Sequence, residues 1–129
     1  MINRQIPNLL VADVAASAAF YRDVIGMEPR FESDWYVQLG AADGPGIELG
    51  LHRRDHELIP EAFRNQAPSG QYLTFVVQDV TAVHERAQAA GVPVIQAPKS
   101  EFYGQIRMLL TGPDGELVDV SMLDPDFGK

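Results

Sequence analysis

Leu9-Leu10-Val11-Ala12-Asp13-Val14-Ala15-Ala16-Ser17-Ala18-Ala19-Phe20-Tyr21, closing near Gly26-Met27, is the stretch that decides the fold. It reads as a short strand, an Asp turn and an amphipathic helix. Asp13 is a good N-cap. Val14, Ser17, Ala18, Tyr21 and Ile25 fall at helical spacing, and Gly26 supplies the stop. The same plan recurs in Leu73-Thr74-Phe75-Val76-Val77-Gln78-Asp79-Val80-Thr81-Ala82-Val83, which runs into Gly91-Val92. The two capping residues, Asp13 and Asp79, stand 66 residues apart in a chain of 129. One folding unit is used twice, so a site is expected between the copies.

Each copy continues into strands. In the first, residues 27–33, Trp35–Leu39 and Ile47–His52 have strand character, with Ala41–Gly46 as a loop. Period two puts Ile47, Leu49 and Leu51 on one face and Glu48, Gly50 and His52 on the other. Residues 53–70 are polar and carry Pro60, Pro68 and Gly70, which makes them a linker with one helical turn near Pro60–Phe63. In the second copy a helix runs from Asp79 to about Ala90, and a strand follows through Ile95. Ala97–Ser100 reads as a loop, Gln105–Leu110 as a strand, Gly112–Gly115 as a tight turn and Leu117–Leu123 as the last strand. The expected architecture is α+β: two βαβββ repeats, about 5–52 and 71–123, in a single domain over 1–129. Two helices are too few for an alternating parallel α/β sheet. Each mixed sheet has one face under a helix, and the two sheets are expected to curve round a shared cleft.

Composition narrows the function. The chain has no cysteine, which excludes disulfides, thiolate metal ligands and thiol catalysis and makes a reducing cytoplasm the default. No apolar run approaches the roughly 18–20 residues of a membrane span, and Met1–Gln5 lacks a secretion-type apolar segment. The expectation is a cytoplasmic protein without a membrane partner. The net charge of −8 and the isolated Lys99 give no basic footprint for nucleic acid. That acidity suits a cationic ligand.

Asp13-Val14, Ser17, Phe20-Tyr21 and Gly26-Met27 resemble the "D-L-x-x-S-x-x-F-Y-x-x-x-L-G" signature of the vicinal oxygen chelate superfamily. Gly112-Pro113-Asp114-Gly115-Glu116-Leu117-Val118-Asp119-Val120 is similar to its "D-P-D-G-x-x-x-E-L" ending. The group includes glyoxalase I, bleomycin resistance proteins, fosfomycin-modifying enzymes and extradiol dioxygenases. The resemblance covers roughly 5–123 and implies a glyoxalase-like fold and a homodimer. It also implies where a metal would bind. In metal-dependent members each repeat gives a first-strand ligand, usually His, and a fourth-strand ligand, usually Glu. Here these positions are Ile6 and Tyr72, and Glu48 and Asp119. Two carboxylates alone suit zinc, nickel or iron poorly, so no metal cofactor is expected.

The ligand-binding candidates are Trp35, Glu48, His52, Tyr72, Tyr103, Arg107 and Asp119. Glu48 and Asp119 alternate with helix-facing apolar residues, and a carboxylate there needs a partner or a function. Each could act as a general base or bind a cationic or hydroxyl-rich ligand, or pair structurally with Arg107. His52 shares the Glu48 face or is a plain strand-end residue, while His56 is expected to be solvated and His84 structural or surface-lying. Trp35, Tyr72 and Tyr103 would line an apolar pocket or fill core; whether Gln105 and Arg107 face the cleft stays open. No phosphate loop, nucleophile elbow or His-Glu-x-x-His motif occurs. The leading expectation is a protein like the bleomycin resistance proteins, binding a small molecule in an acidic, aromatic cleft without a metal. The alternative is a lyase, isomerase or dioxygenase-type enzyme of the same superfamily, using Glu48 or Asp119 with an unusual metal or none.

Overall fold

A computed structural model describes residues 1–129. The chain divides into two compact units, Met1–Pro68 and Ser69–Lys129. The first runs β1 (Asn8–Val11), α1 (Val14–Phe20), a π-helical turn (Tyr21–Ile25), β2 (Glu28–Glu32), β3 (Tyr36–Ala41) and β4 (Gly44–Arg53). A 3-10 turn at Glu61–Phe63 follows, where one helical turn was expected. The second unit runs β5 (Leu73–Val76), α2 (Val80–Ala89), β6 (Val94–Ser100), β7 (Gln105–Thr111) and β8 (Leu117–Leu123). Each unit is thus a βαβββ module, as the repeat implied. No helix is long and apolar enough to cross a membrane.

Both helices start for the reason read from the sequence. The Asp13 carboxylate accepts the Ala16 N–H at 3.0 Å, and the Asp79 carboxylate accepts that of Ala82 at 3.1 Å. Such a cap is worth about 1 kcal/mol. Gly26, at φ 100°, ends the first helical segment in the left-handed conformation that favours glycine. The π-helical turn before it was not foreseen. It widens the helix so that Phe20, Tyr21, Val24 and Ile25 are all buried.

The strand orders are β1-β4-β3-β2 and β5-β8-β7-β6, with the first pair of each sheet parallel and the others antiparallel. One face of each sheet is core. Leu9, Val11, Val37, Leu39, Leu49 and Leu51 are buried in the first unit, where α1 packs on β3 and β4. Met108, Leu110, Val118 and Val120 are buried in the second, where Val80, Val83 and Ala87 of α2 are buried as well. Each fully buried Leu or Val stabilises its unit by about 1.5–3 kcal/mol. This packing fixes which side chains remain on the opposite faces.

Two strand assignments need correction. β4 begins at Gly44 rather than Ile47, because the β3–β4 pairing resumes at Ala41 and Gly44 beyond a bulge. That bulge takes Ile47 out of the alternation, and it is 51% exposed while Leu49 and Leu51 are buried. Ala97–Ser100 is not a loop but the second half of β6. Pro98 is tolerated there because β6 is an edge strand with two register shifts.

Candidate functional site

In the first unit the face away from α1 carries Glu48, Gly50 and His52 on β4. The register sets Gly40, Gln38 and Tyr36 opposite them on β3, and Asn8 opposite Gly50 on β1. The Glu48 carboxylate is 12% exposed and already bound. Arg4, just ahead of β1, donates its Nε to both carboxylate oxygens at 2.9 and 2.8 Å, and its Nη2 donates to Oε1 as well. Gln38 Nε2 adds a bond to Oε1 at 3.0 Å. The Arg4 hydrogen bond holds the Glu48 carboxyl below the usual carboxylate range; burial opposes this, while the Arg4 charge and Gln38 reinforce it. Arg4 is the partner that sequence reasoning missed.

Next to this pair, Tyr36 Oη donates to Asn8 Oδ1 at 2.7 Å. The two side chains cross directly over Gly50, where a Cβ would collide with Asn8 Oδ1 and Tyr36 Oη. Burial raises the Tyr36 phenol's pKa, with Arg4 opposing and Glu48 assisting, so the phenol is a neutral donor near pH 7.

His52 lies on the Glu48 face as period two requires, and it joins an aromatic corner. Its ring meets Trp35 edge-on at 5.2 Å and Tyr36 at 5.7 Å. His56, expected to be solvated, instead stacks on Trp35 at 4.4 Å with a 13° interplanar angle. The peptide oxygen of Arg53 lies 3.0 Å from His52 Nδ1, and a carbonyl only accepts, so that nitrogen carries a proton. His56 Nδ1 accepts the Leu58 N–H at 3.2 Å, which puts the proton of the neutral ring on Nε2.

In the second unit the equivalent carboxylate, Asp119 on β8, is 9% exposed. Thr74 on β5 donates to Oδ2 at 2.9 Å, Ser121 to Oδ1 at 2.9 Å, and Arg107 Nε to Oδ1 at 3.3 Å. Arg107 therefore lies on the same side of its sheet as Asp119, away from α2. Burial works against the Arg107 charge, but Asp119 outweighs it and raises the guanidinium pKa, with smaller contributions from Tyr103 and Tyr72. Those two tyrosines are about half exposed. Tyr103 sits in the β6–β7 connection, where the Phe127 ring lies 2.9 Å from the Cβ that Gly104 lacks and Asp124 N–H bonds Gly104 O at 2.9 Å.

The structure thus gives each unit one half-closed polar face. Trp35, Glu48 and His52 share the first; Tyr72, Tyr103, Arg107 and Asp119 share the second. Both carboxylates are arginine-paired rather than open. No cluster of three or more His, Asp or Glu side chains is placed to hold a metal ion.

The sequence model of the Glyoxalase/Bleomycin resistance protein/Dioxygenase superfamily matches residues 5–120. Among solved structures, the chain is similar to a glyoxalase/bleomycin resistance protein/dioxygenase family enzyme from Burkholderia phytofirmans PsJN. That match has 24% identity and a TM-score of 0.76, covering 92% of this chain and 96% of the other. A glyoxalase-related enzyme from Fulvimarina pelagi matches at 21% identity and TM-score 0.76, over 95% and 88% of the two chains. A virulence protein from Salmonella typhimurium matches at 23% identity and TM-score 0.70, over 95% and 98%. At these identities the likeness concerns the fold. No curated protein matches significantly.

Proposed function

We propose, on the premise that the chain belongs to the glyoxalase/bleomycin resistance protein/dioxygenase superfamily, that it binds a small organic molecule on the polar faces of its sheets without the divalent metal of the metal-dependent members. The observation that carries this reading is the arginine on each fourth-strand carboxylate. A metal ion would have to displace Arg4 from Glu48, and Arg107 together with two hydroxyls from Asp119. At the first-strand positions Ile6 offers no donor atom, and Tyr72 offers a phenol in place of an imidazole. The residues present do not fit the family's metal.

What remains suits binding. Trp35, Tyr36, Tyr72 and Tyr103 supply flat apolar surface with polar edges, and His52 and Gln38 supply placed hydrogen-bonding groups. The paired carboxylates also weaken the case for a cationic ligand, because their charge is compensated within the protein.

Elemental analysis of freshly purified protein, with a ligand screen followed by the emission of Trp35, the single tryptophan, tests the proposal. The expected result is metal well below stoichiometric and ligand binding indifferent to a chelator. Stoichiometric nickel, zinc, iron or manganese, or binding abolished by chelation, would overturn it.

A further inference from the structure

We infer that the second unit holds a subsite for a small oxyanion, a carboxylate or phosphate group carried by the ligand, built from Arg107 and Lys99 with the hydroxyls of Tyr72 and Tyr103 beside them. The inference rests on the reading above that these faces bind a small molecule.

Two independent observations carry it. The first is the free end of Arg107. Its Nε is occupied by Asp119 at 3.3 Å, and its two terminal amino groups have no partner in the protein. The side chain is one-quarter exposed, so those groups are reachable. A guanidinium presents its N–H groups as a fixed fork that matches the two oxygens of a carboxylate or phosphate. Asp119, held by Thr74 and Ser121 as well, fixes the base of that fork.

The second is the register of the β6–β7 pair. Lys99 lies directly across from Arg107, and directly opposed residues of an antiparallel pair project to the same face. Lys99 has no ion-pair partner, and the adjacent acid Glu101 is instead engaged by Gln96 at 3.3 Å. An anion seated between Lys99 and Arg107 would meet both cations. The Tyr72 and Tyr103 phenols lie close enough to influence Arg107 electrostatically, and each offers an O–H to the same guest.

The test is a titration of the full-length isotope-labelled chain with malonate and, separately, inorganic phosphate. The Arg107 Nε–H and the backbone amides of β6 and β7 are followed by NMR. Saturable shifts centred on Arg107 and Lys99 are expected, and the tighter of the two probes identifies the class of oxyanion. Lys99→Ala, an exposed change, should weaken that binding about fivefold, the loss of one charge contact, with an unaltered melting temperature. Arg107→Lys keeps a cation beside Asp119 but loses the fork, and should weaken it further. The absence of saturable shifts at Arg107 with both anions, or unchanged affinity in Lys99→Ala, overturns the inference. Malonate and phosphate affinities that are equal in wild type and Lys99→Ala, alongside an organic ligand found in the Trp35 screen, would leave the binding function standing and remove the subsite. Anion shifts with no organic ligand found would do the reverse.

Discussion

Replacing Asp119 by Ala measures whether this carboxylate is a structural acid. The side chain accepts three hydrogen bonds, and the cost of losing them differs by partner. Ser121 is fully buried, so its hydroxyl loses its carboxylate acceptor, which costs about 1–3 kcal/mol. Arg107 is mostly covered but keeps a path to water, so its orphaned charge adds about 1 kcal/mol. Thr74 is exposed, and water replaces the lost acceptor at little cost. The expected loss is about 3 kcal/mol, a large part of the ~5–15 kcal/mol typical of a domain. Asp119→Asn keeps an acceptor for Ser121 and loses the ion pair, so it should cost about 1 kcal/mol. Urea unfolding reads both as midpoint shifts at constant m-value. In a double-mutant cycle, Ser121→Ala should cost about 1 kcal/mol in wild type and close to nothing beside Asp119→Ala. A loss below about 1 kcal/mol for Asp119→Ala, or equal losses for Ala and Asn, would refute the assignment.

The hydrogen bond from Arg4 holds the Glu48 carboxyl below the usual carboxylate range. A depressed folded-state pKa contributes stability that is present above the unfolded value and lost as pH falls through the folded one. Arg4→Gln should therefore reduce stability at neutral pH and flatten the acid limb below pH 4.5, while the Glu48 carboxyl carbon titrates upward in NMR; an unmoved carboxyl titration would count against the pairing. Gly50→Ala should break the Tyr36–Asn8 bond, worth about 1 kcal/mol, and push both side chains off their rotamers at about 0.5–1.5 kcal/mol. The roughly 0.5–1 kcal/mol that Ala gains over Gly within a strand offsets part of this. A net loss near 1 kcal/mol is expected, vanishing when Asn8→Ala and Tyr36→Ala are already present; persistence of the loss there would point to the backbone instead.

The fold was legible because its signals are local. Asp13 and Asp79 cap helices whose apolar residues recur at helical spacing, and Gly26 and Gly91 end them at φ 100° and 70°. The misreadings came where pairing geometry overrides alternation. A bulge removes Ile47 from the core face, and an edge position admits Pro98. The site was legible in part. Glu48 and Asp119 were placed on the correct faces by period two, but their partners are set by tertiary structure. Arg4 lies outside every periodic segment, and only its charge hinted at Glu48. Arg107 was recoverable, since counting back from the Gly112–Gly115 turn sets it across from Ser121 and diagonal to Asp119. The stacking of His56 on Trp35 joins a strand start to a loop 21 residues on, a distance over which no sequence period operates.

Each acid finds its counter-ion inside its own half of the chain: Glu48 from Arg4, Asp119 from Arg107. Neither half needs the other to neutralise the carboxylate on its sheet. A gene encoding either βαβββ module would carry its charge compensation with it when copied or recombined. The four residues could then diverge as two linked pairs, with substitution of an arginine exposing an acid in that half alone.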